Sequence, residues 1–295
     1  MSVDCAMLRG FAPQHDCFVG IDSDGCVFDT MAVKQREHFH PLIIKHWHLE
    51  RCADALIACA DFSNLISCYR GSNRFPALLR TFTWFRNYPG VAESGVELPK
   101  LDALRSYVQS GLTLGNPSLQ TEVERTGDPE LRRLLEWSLE VSASIDGNMR
   151  PVPPFPEAVA TMELMREAAD LMVVSQTPEA ALRREWKLHR IDGLVEIICG
   201  QEAGTKAEML TAAAEGKYAS GKVLMVGDAQ GDLRSARESG SLFFPITPGD
   251  ENNAWRRLRE EGFPRLMNGT FAGDYETELE REFLGTLPSM PPWEE

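Results

Sequence analysis

The chain has 295 residues, of which 43% are apolar and 25% charged, and its 44 acidic against 30 basic side chains give a formal net charge of −14. Its length exceeds the usual single-core range, so one large or two modest domains are expected, and the ordinary apolar share excludes a disordered chain. The acidic balance argues against nucleic acid as a partner, because phosphate backbones are held by clustered Lys and Arg; a bound cation and a few local bases can still reverse the sign in one cleft for a small anion.

Seven cysteines, Cys5, Cys17, Cys26, Cys52, Cys59, Cys68 and Cys199, form no CxxC pair and are odd in number. Mostly buried, reduced thiols in an intracellular protein are the simplest reading. The opening MSVDCAMLRGFAPQHD carries Asp4 and lacks an apolar core, so it reads as no secretory signal. With no apolar run near the ~20 residues of a membrane span, a cytoplasmic protein with no membrane partner is expected. Oligomeric state is not legible.

In chain order, Cys17 to Ile21 reads as a buried strand, followed by a turn through Ser23, Asp24 and Gly25. From about Met31 to Arg150 the pattern changes. Apolar residues recur at helical spacing in Cys52 to Ile66, Leu101 to Val108 and Leu131 to Val141, without a strand among them, which predicts a helical insert. Trp84 and Phe85 are expected in its core. The run Pro151-Val152-Pro153-Pro154-Phe155-Pro156 cannot continue a helix and reads as a stiff linker or hinge.

Strict alternation follows. Glu157 to Ala169 is an amphipathic helix and Leu171 to Ser175 a strand; Thr177-Pro178 reads as N-cap and first residue of the next helix. Val195 to Cys199 is a strand, and Thr205 with Glu208 forms a capping box. Lys222 to Val226 is a strand, Asp232 to Ser239 a helix stopped by Gly240, and Leu242 to Ile246 a fifth strand. Such alternation predicts an α/β fold, a doubly wound parallel sheet covered on both faces. Residues 1–30 and 151–250 are therefore assigned to the core, 31–150 to a helical cap over its catalytic rim, and 251–295 to a C-terminal extension packed on the core, with a short charged helix at Ala254 to Glu261 and an irregular end through Pro288, Pro291 and Pro292.

Polar residues at the ends of these strands emerge at one rim of the sheet, where open α/β sheets bind ligands. Asp22 and Asp24, one residue apart past the first strand, can face a common ligand: one carboxylate suits nucleophilic attack, the other proton transfer. Asp228 follows the fourth strand and Asp232 opens the next helix. With those strands adjacent, up to four carboxyl groups share one pocket, and each pair at ~4 Å repels by about 4 kcal/mol at an effective dielectric of 20. Oxygen-only ligands of this kind suit Mg²⁺. Lys206 would neutralise the nucleophile and phosphoryl oxygens, and Ser175, at a strand end beside a helix start, would donate to the same oxygens. Phosphoryl transfer requires mainly such positioning and neutralisation.

The order and types of DSDG at Asp22, the strand-end Ser175, Lys206 and the GDAQGD segment at Asp228 resemble the four motifs of the haloacid dehalogenase-like hydrolase superfamily, over roughly residues 16 to 30 and 155 to 247. The resemblance implies Asp22 as nucleophile, Asp24 as general acid/base, and Ser175, Gln176 and Lys206 at the substrate phosphate. It implies Mg²⁺ on Asp22, the Asp24 backbone carbonyl and Asp228, with Asp232 as ligand or close support. Cys26 stands where Thr is common in the family, Gln176 where Asn is common, and no Pro follows Lys206; none of these removes a charge the mechanism requires. The insert's position is similar to the helical-cap subclass that includes phosphoglycolate phosphatase and β-phosphoglucomutase. Dehalogenases of the superfamily lack an acid at the Asp24 position and phosphonatases carry a small residue, so phosphate esters are implied. The expected activity is hydrolysis of a small phosphorylated metabolite, with a phosphomutase as the alternative; which metabolite is unreadable.

Within the insert, Arg70, Asn73 and Arg74 in YRGSNRFPAL, and Lys34 after the first motif, are candidates for reaching an anionic substrate, against surface bases on helix connections. His38, His40, His46 and His48 form two HxH pairs, read as satisfied or solvated histidines in preference to metal ligands.

Overall fold

The protein is described from a computed structural model over residues 3–294. It divides into two compact units: the chain up to Thr30 together with Pro151–Leu287, and Met31–Arg150 together with the stretch from Pro288 onward.

The first unit is built on five parallel strands, β1 (Phe18–Ile21), β2 (Asp170–Val174), β3 (Ile197–Cys199), β4 (Val223–Gly227) and β5 (Leu242–Pro245), in the spatial order β3-β2-β1-β4-β5. β1 lies between β2 and β4, with Ile21 opposite Val173 on one side and Val226 on the other. Strand alternation divides the apolar residues between two covered faces. Val19, Ile21, Leu171, Val173, Leu224, Val226 and Phe244 join a core with Met162 and Met165 of the helix Pro156–Met165, with Trp186 of Glu179–Leu188 and with Trp255 of Glu251–Arg257. On the other face Gly20 lets the helix Lys206–Ala214 approach closely, since a β-carbon there would lie 2.6 Å from Leu210 Cδ2. Phe243 meets Phe283 of the helix Asp274–Gly285 at 5.8 Å between ring centroids. The doubly wound parallel sheet expected from the sequence is the observed one.

Two details of the C-terminal region differ from the sequence reading. The region past Pro248 holds more helix than the one expected, Glu251–Arg257 continuing through a π-helical stretch into Phe263–Asn268, then Asp274–Gly285. The extension also does not belong wholly with the core: from Pro288 it joins the helical unit. The Pro288 carbonyl accepts from the Cys68 N–H at 3.0 Å, and Trp293 packs on Phe62 and Tyr88 with centroids 5.8 and 5.0 Å apart. A large aromatic surface inside the helical unit draws the tail to it, a pairing that local sequence pattern does not display.

The helical unit contains His40–Trp47, Ala53–Asp61, Arg74–Asn87, Asp102–Val108, Asn116–Thr126 and Pro129–Asn148, with no strand among the described residues. Trp47 sits edge-on to Phe82 and Trp137 at 5.1 and 5.9 Å, and Trp84 and Phe85 are buried in the same cluster. The π-helical stretch Lys34–Phe39 precedes Pro41, and the His40 N–H bonds to Gln35 O, so the helix passes the proline, whose missing N–H would break a regular ladder. No helix among the described residues is long and apolar enough to cross a membrane.

His40, 1% exposed, has Nδ1 3.7 Å from Asp61 Oδ1. Burial lowers its pKa from 6.5 to about 4, Asp61 opposing and Arg36 assisting the shift. Its folded pKa lies below its unfolded value, so the unfolded chain alone takes up the proton between those values; the stability is whole above the unfolded pKa and is lost as pH falls toward the folded one. Urea unfolding followed at pH 7.5 and pH 5 is expected to show a lower midpoint at pH 5, with a smaller drop in His40→Gln.

Candidate active site

Asp22, Ser175 and Asp228 directly follow β1, β2 and β4 and so stand at one rim of the sheet. Asp22 extends β1: its N–H bonds to Val226 O at 2.9 Å, and its Oδ1 accepts from the Ser23 N–H at 2.8 Å. Asp228 directly follows β4, and Asp232 lies in the first turn of the helix Gln230–Ser239, which Gly240 terminates in the left-handed conformation. Asp232 Oδ2 accepts from the Ala229 N–H at 3.0 Å. Gly227 is required for this approach, because a β-carbon there would lie 2.4 Å from Asp232 Cγ.

Asp22, Asp228 and Asp232 are buried, and one carboxylate oxygen of each lies within 4.8 Å of the others. Lys206 enters the same pocket, its Nζ 2.7 Å from Asp22 Oδ2 and 2.5 Å from Asp232 Oδ1. It is the first residue of its helix, set there by the reciprocal Thr205–Glu208 capping box. Burial raises the Asp22 pKa to about 7, with Asp232 and Asp228 adding to the rise and Lys206 opposing it. Burial would lower the Lys206 pKa, but Asp22 and Asp232 overcome it and hold the ammonium charged. Lys206 thus meets two of the three clustered acids directly. An all-oxygen, buried donor set of this density fits a hard divalent cation such as Mg²⁺.

The Asp24 carboxylate is not part of this cluster of three, so three of the up to four carboxyl groups expected from the sequence gather there. Its oxygens are taken by hydroxyls instead: Thr30 Oγ1 donates to Oδ1, and Thr177 Oγ1 to Oδ2 at 2.5 Å. Neither threonine is among the site residues read from the sequence. Thr177 reads there as a helix N-cap, whereas the helix Glu179–Leu188 has Pro178 at its N-cap position and no side-chain cap. The available signal was only a hydroxyl shortly after a strand-end serine, which does not name its partner.

Ser175, 2% exposed, continues the sheet through its N–H to Cys199 O at 3.1 Å, and its Oγ accepts from the Thr177 N–H at 3.3 Å. Gln176 donates from Nε2 to Gly204 O at 2.9 Å, tying the β2 loop to the segment ahead of Lys206.

The candidate substrate residues of the helical unit are engaged inside that unit. Arg70, 7% exposed, donates from Nη1 to Leu65 O at 2.5 Å. Asn73 caps Arg74–Asn87 by accepting from the Phe75 N–H at 3.0 Å, and its Nδ2 reaches Leu114 O at 3.1 Å. Arg74 Nη1 donates to Ser138 O, Ser138 Oγ and Ser142 Oγ at 3.0 to 3.1 Å, and burial lowers its pKa. Lys34 opens the π-helical stretch and is half-buried. The histidines form no metal cluster among the described residues: His38 pairs with Ser144 Oγ at 2.8 Å and His46 with Glu140 at 2.7 Å.

No family model matches the sequence, and no curated protein does. Among solved structures, one from Lactobacillus delbrueckii subsp. bulgaricus, provisionally described as a phosphoglycolate phosphatase, is 17% identical at a TM-score of 0.48, over 92% of this chain and 100% of its own. A haloacid dehalogenase-like family hydrolase from Streptococcus pneumoniae is 17% identical at 0.44, over 90% and 98%. A predicted phosphoglycolate phosphatase from Haemophilus somnus is 16% identical at 0.42, over 86% and 97%. At such values the reading of the site rests on its own geometry.

Removing the ammonium takes the cationic partner from Asp22 and Asp232, and breaking a buried pair in this way costs about 3–5 kcal/mol. Lys206→Met is therefore expected to lower the unfolding midpoint in EDTA. Because the folded pKa of Asp22 is raised, the loss grows as pH climbs from 5 to 8; a loss independent of pH would contradict the charge argument.

Proposed function

We propose that this chain is a Mg²⁺-dependent hydrolase of the haloacid dehalogenase-like superfamily that cleaves a small phosphomonoester through an aspartyl-phosphate. The observation that carries the reading is the meeting, at one sheet rim, of Asp22, Asp228 and Asp232 within 4.8 Å of one another with Lys206 Nζ 2.7 Å from Asp22. A cytoplasmic site of action and a phosphorylated metabolite as substrate belong to the same proposal.

In this mechanism an Asp22 carboxylate oxygen attacks phosphorus in line and the ester P–O bond breaks, while Asp24 gives its proton to the leaving oxygen. Water then attacks the phosphoryl group. Asp24 takes the water's proton, the Asp22–phosphorus bond breaks, and inorganic phosphate leaves with Asp22 regenerated. Lys206 neutralises Asp22 and the phosphoryl oxygens as charge moves between them, and the Ser175 hydroxyl and nearby N–H groups orient those oxygens. Thr30 and Thr177, each at one Asp24 carboxyl oxygen, fix the orientation of that carboxyl group. Mg²⁺, held by Asp22, Asp228 and Asp232, would supply charge neutralisation for the phosphoryl group.

Screening purified protein against metabolite phosphates, with Mg²⁺ and with EDTA, is expected to show phosphate release only with the metal. Asp22→Asn should fold normally and lose at least about 10³-fold in kcat, as removal of a covalent nucleophile does; retained turnover would remove Asp22 from that role. Isomerised sugar phosphate in large excess over released phosphate would favour the phosphomutase alternative.

A further inference from the structure

Two indole N–H groups, from helices far apart in sequence, converge on the loop that carries Asp22 and Asp24. Trp255, fully buried in Glu251–Arg257, donates from Nε1 to Cys26 O at 2.8 Å. Trp186, fully buried in Glu179–Leu188, donates from Nε1 to Ser23 Oγ at 3.0 Å. The loop itself is tightly self-bonded. Ser23 O accepts from the Val27 and Phe28 N–H groups at 2.9 and 3.2 Å, and the Gly25 N–H returns to Phe28 O at 2.7 Å, with Gly25 at φ 80° where only glycine sits without strain. The indoles therefore bind outward-facing oxygens of an already closed turn and fix how that turn is seated on the sheet.

The seating is itself anchored. Thr161 Oγ1 donates to Trp255 O at 3.0 Å, locking the Trp255 helix to Pro156–Met165, and Phe28 lies edge-on to Trp186 at 6.0 Å. Both indoles also belong to the core beneath β1 and β4, so their rings cannot turn away without opening packed space. Among the described residues the C-terminal extension contributes no carboxylate to the acid cluster, and Trp255 gives it a hydrogen bond to the catalytic loop. Misplacement of a reacting group by about 1 Å can cost on the order of 10²-fold in rate.

We propose that Trp255, with Trp186, is a positioning residue for the Asp22–Phe28 loop, and that the segment after β5 is thereby part of the catalytic machinery. This rests on the phosphatase reading above. Neither indole touches the reacting atoms; each acts through the backbone or hydroxyl it holds.

The test replaces the N–H while keeping an aromatic ring: Trp255→Phe and Trp186→Phe, with Trp137→Phe as control. Trp137 is 1% exposed in the helical unit, and its Nε1 has no hydrogen-bond partner among the described residues. Hydrogen exchange of the Val27 and Phe28 amides, kcat and KM with p-nitrophenyl phosphate, and the thermal midpoint are measured for each. Expected for Trp255→Phe are loop amides exchanging at least tenfold faster and kcat down about tenfold per folded molecule at a KM within twofold. The control should change only its thermal midpoint. Unchanged exchange, or unchanged kcat with a lowered midpoint, returns both indoles to simple packing. A wild-type protein that hydrolyses no phosphomonoester overturns the phosphatase reading on its own, and the exchange rates still decide the brace.

Discussion

The ammonium of Lys206, set in a cluster of three buried acids, is the constraint on which the rest of this architecture depends. Lys206 contacts Asp22 and Asp232 directly, and burial removes the water that would screen the remaining repulsion. An arrangement of this kind does not arise from local preference. β1 must lie between β2 and β4, the Thr205 cap must start a helix at Lys206, and Gly227 must leave room for Asp232. The core is thus a device for holding like charges together, and the stability given up at the rim is offset by apolar burial on both faces of the sheet.

The parts legible in the sequence were those with local physics. Period and turn chemistry gave all five strands within a residue or two, the Thr205–Glu208 box and the Gly240 stop. The helical insert was visible because its apolar spacing changes at Met31 and again at the proline run from Pro151. Acids at the ends of adjacent parallel strands share a rim, so the meeting of Asp22 with Asp228 followed once β1 and β4 were neighbours, a condition the structure meets.

What escaped depended on side-chain direction. Thr177 looked like a helix cap because threonine before proline commonly is one, yet its hydroxyl faces a carboxylate 153 residues earlier in the chain. Arg70 and Arg74 looked available because they flank a glycine turn, yet their guanidinium groups saturate carbonyls and serines within the helical unit. Asp274–Gly285 went unseen for a different reason: its buried positions, Leu279 and Phe283, are four apart in an otherwise polar stretch, too sparse to mark a helix alone.

The tail from Pro288 gives the chain's connectivity a practical meaning. The helical unit is made from two separated stretches of polypeptide, and Trp293 of the second supplies part of its aromatic packing. A fragment spanning only Met31 to Arg150 would leave the Phe62 and Tyr88 rings without that neighbour. Swapping the unit between related scaffolds to transplant specificity therefore means carrying the stretch from Pro288 onward along with the insert.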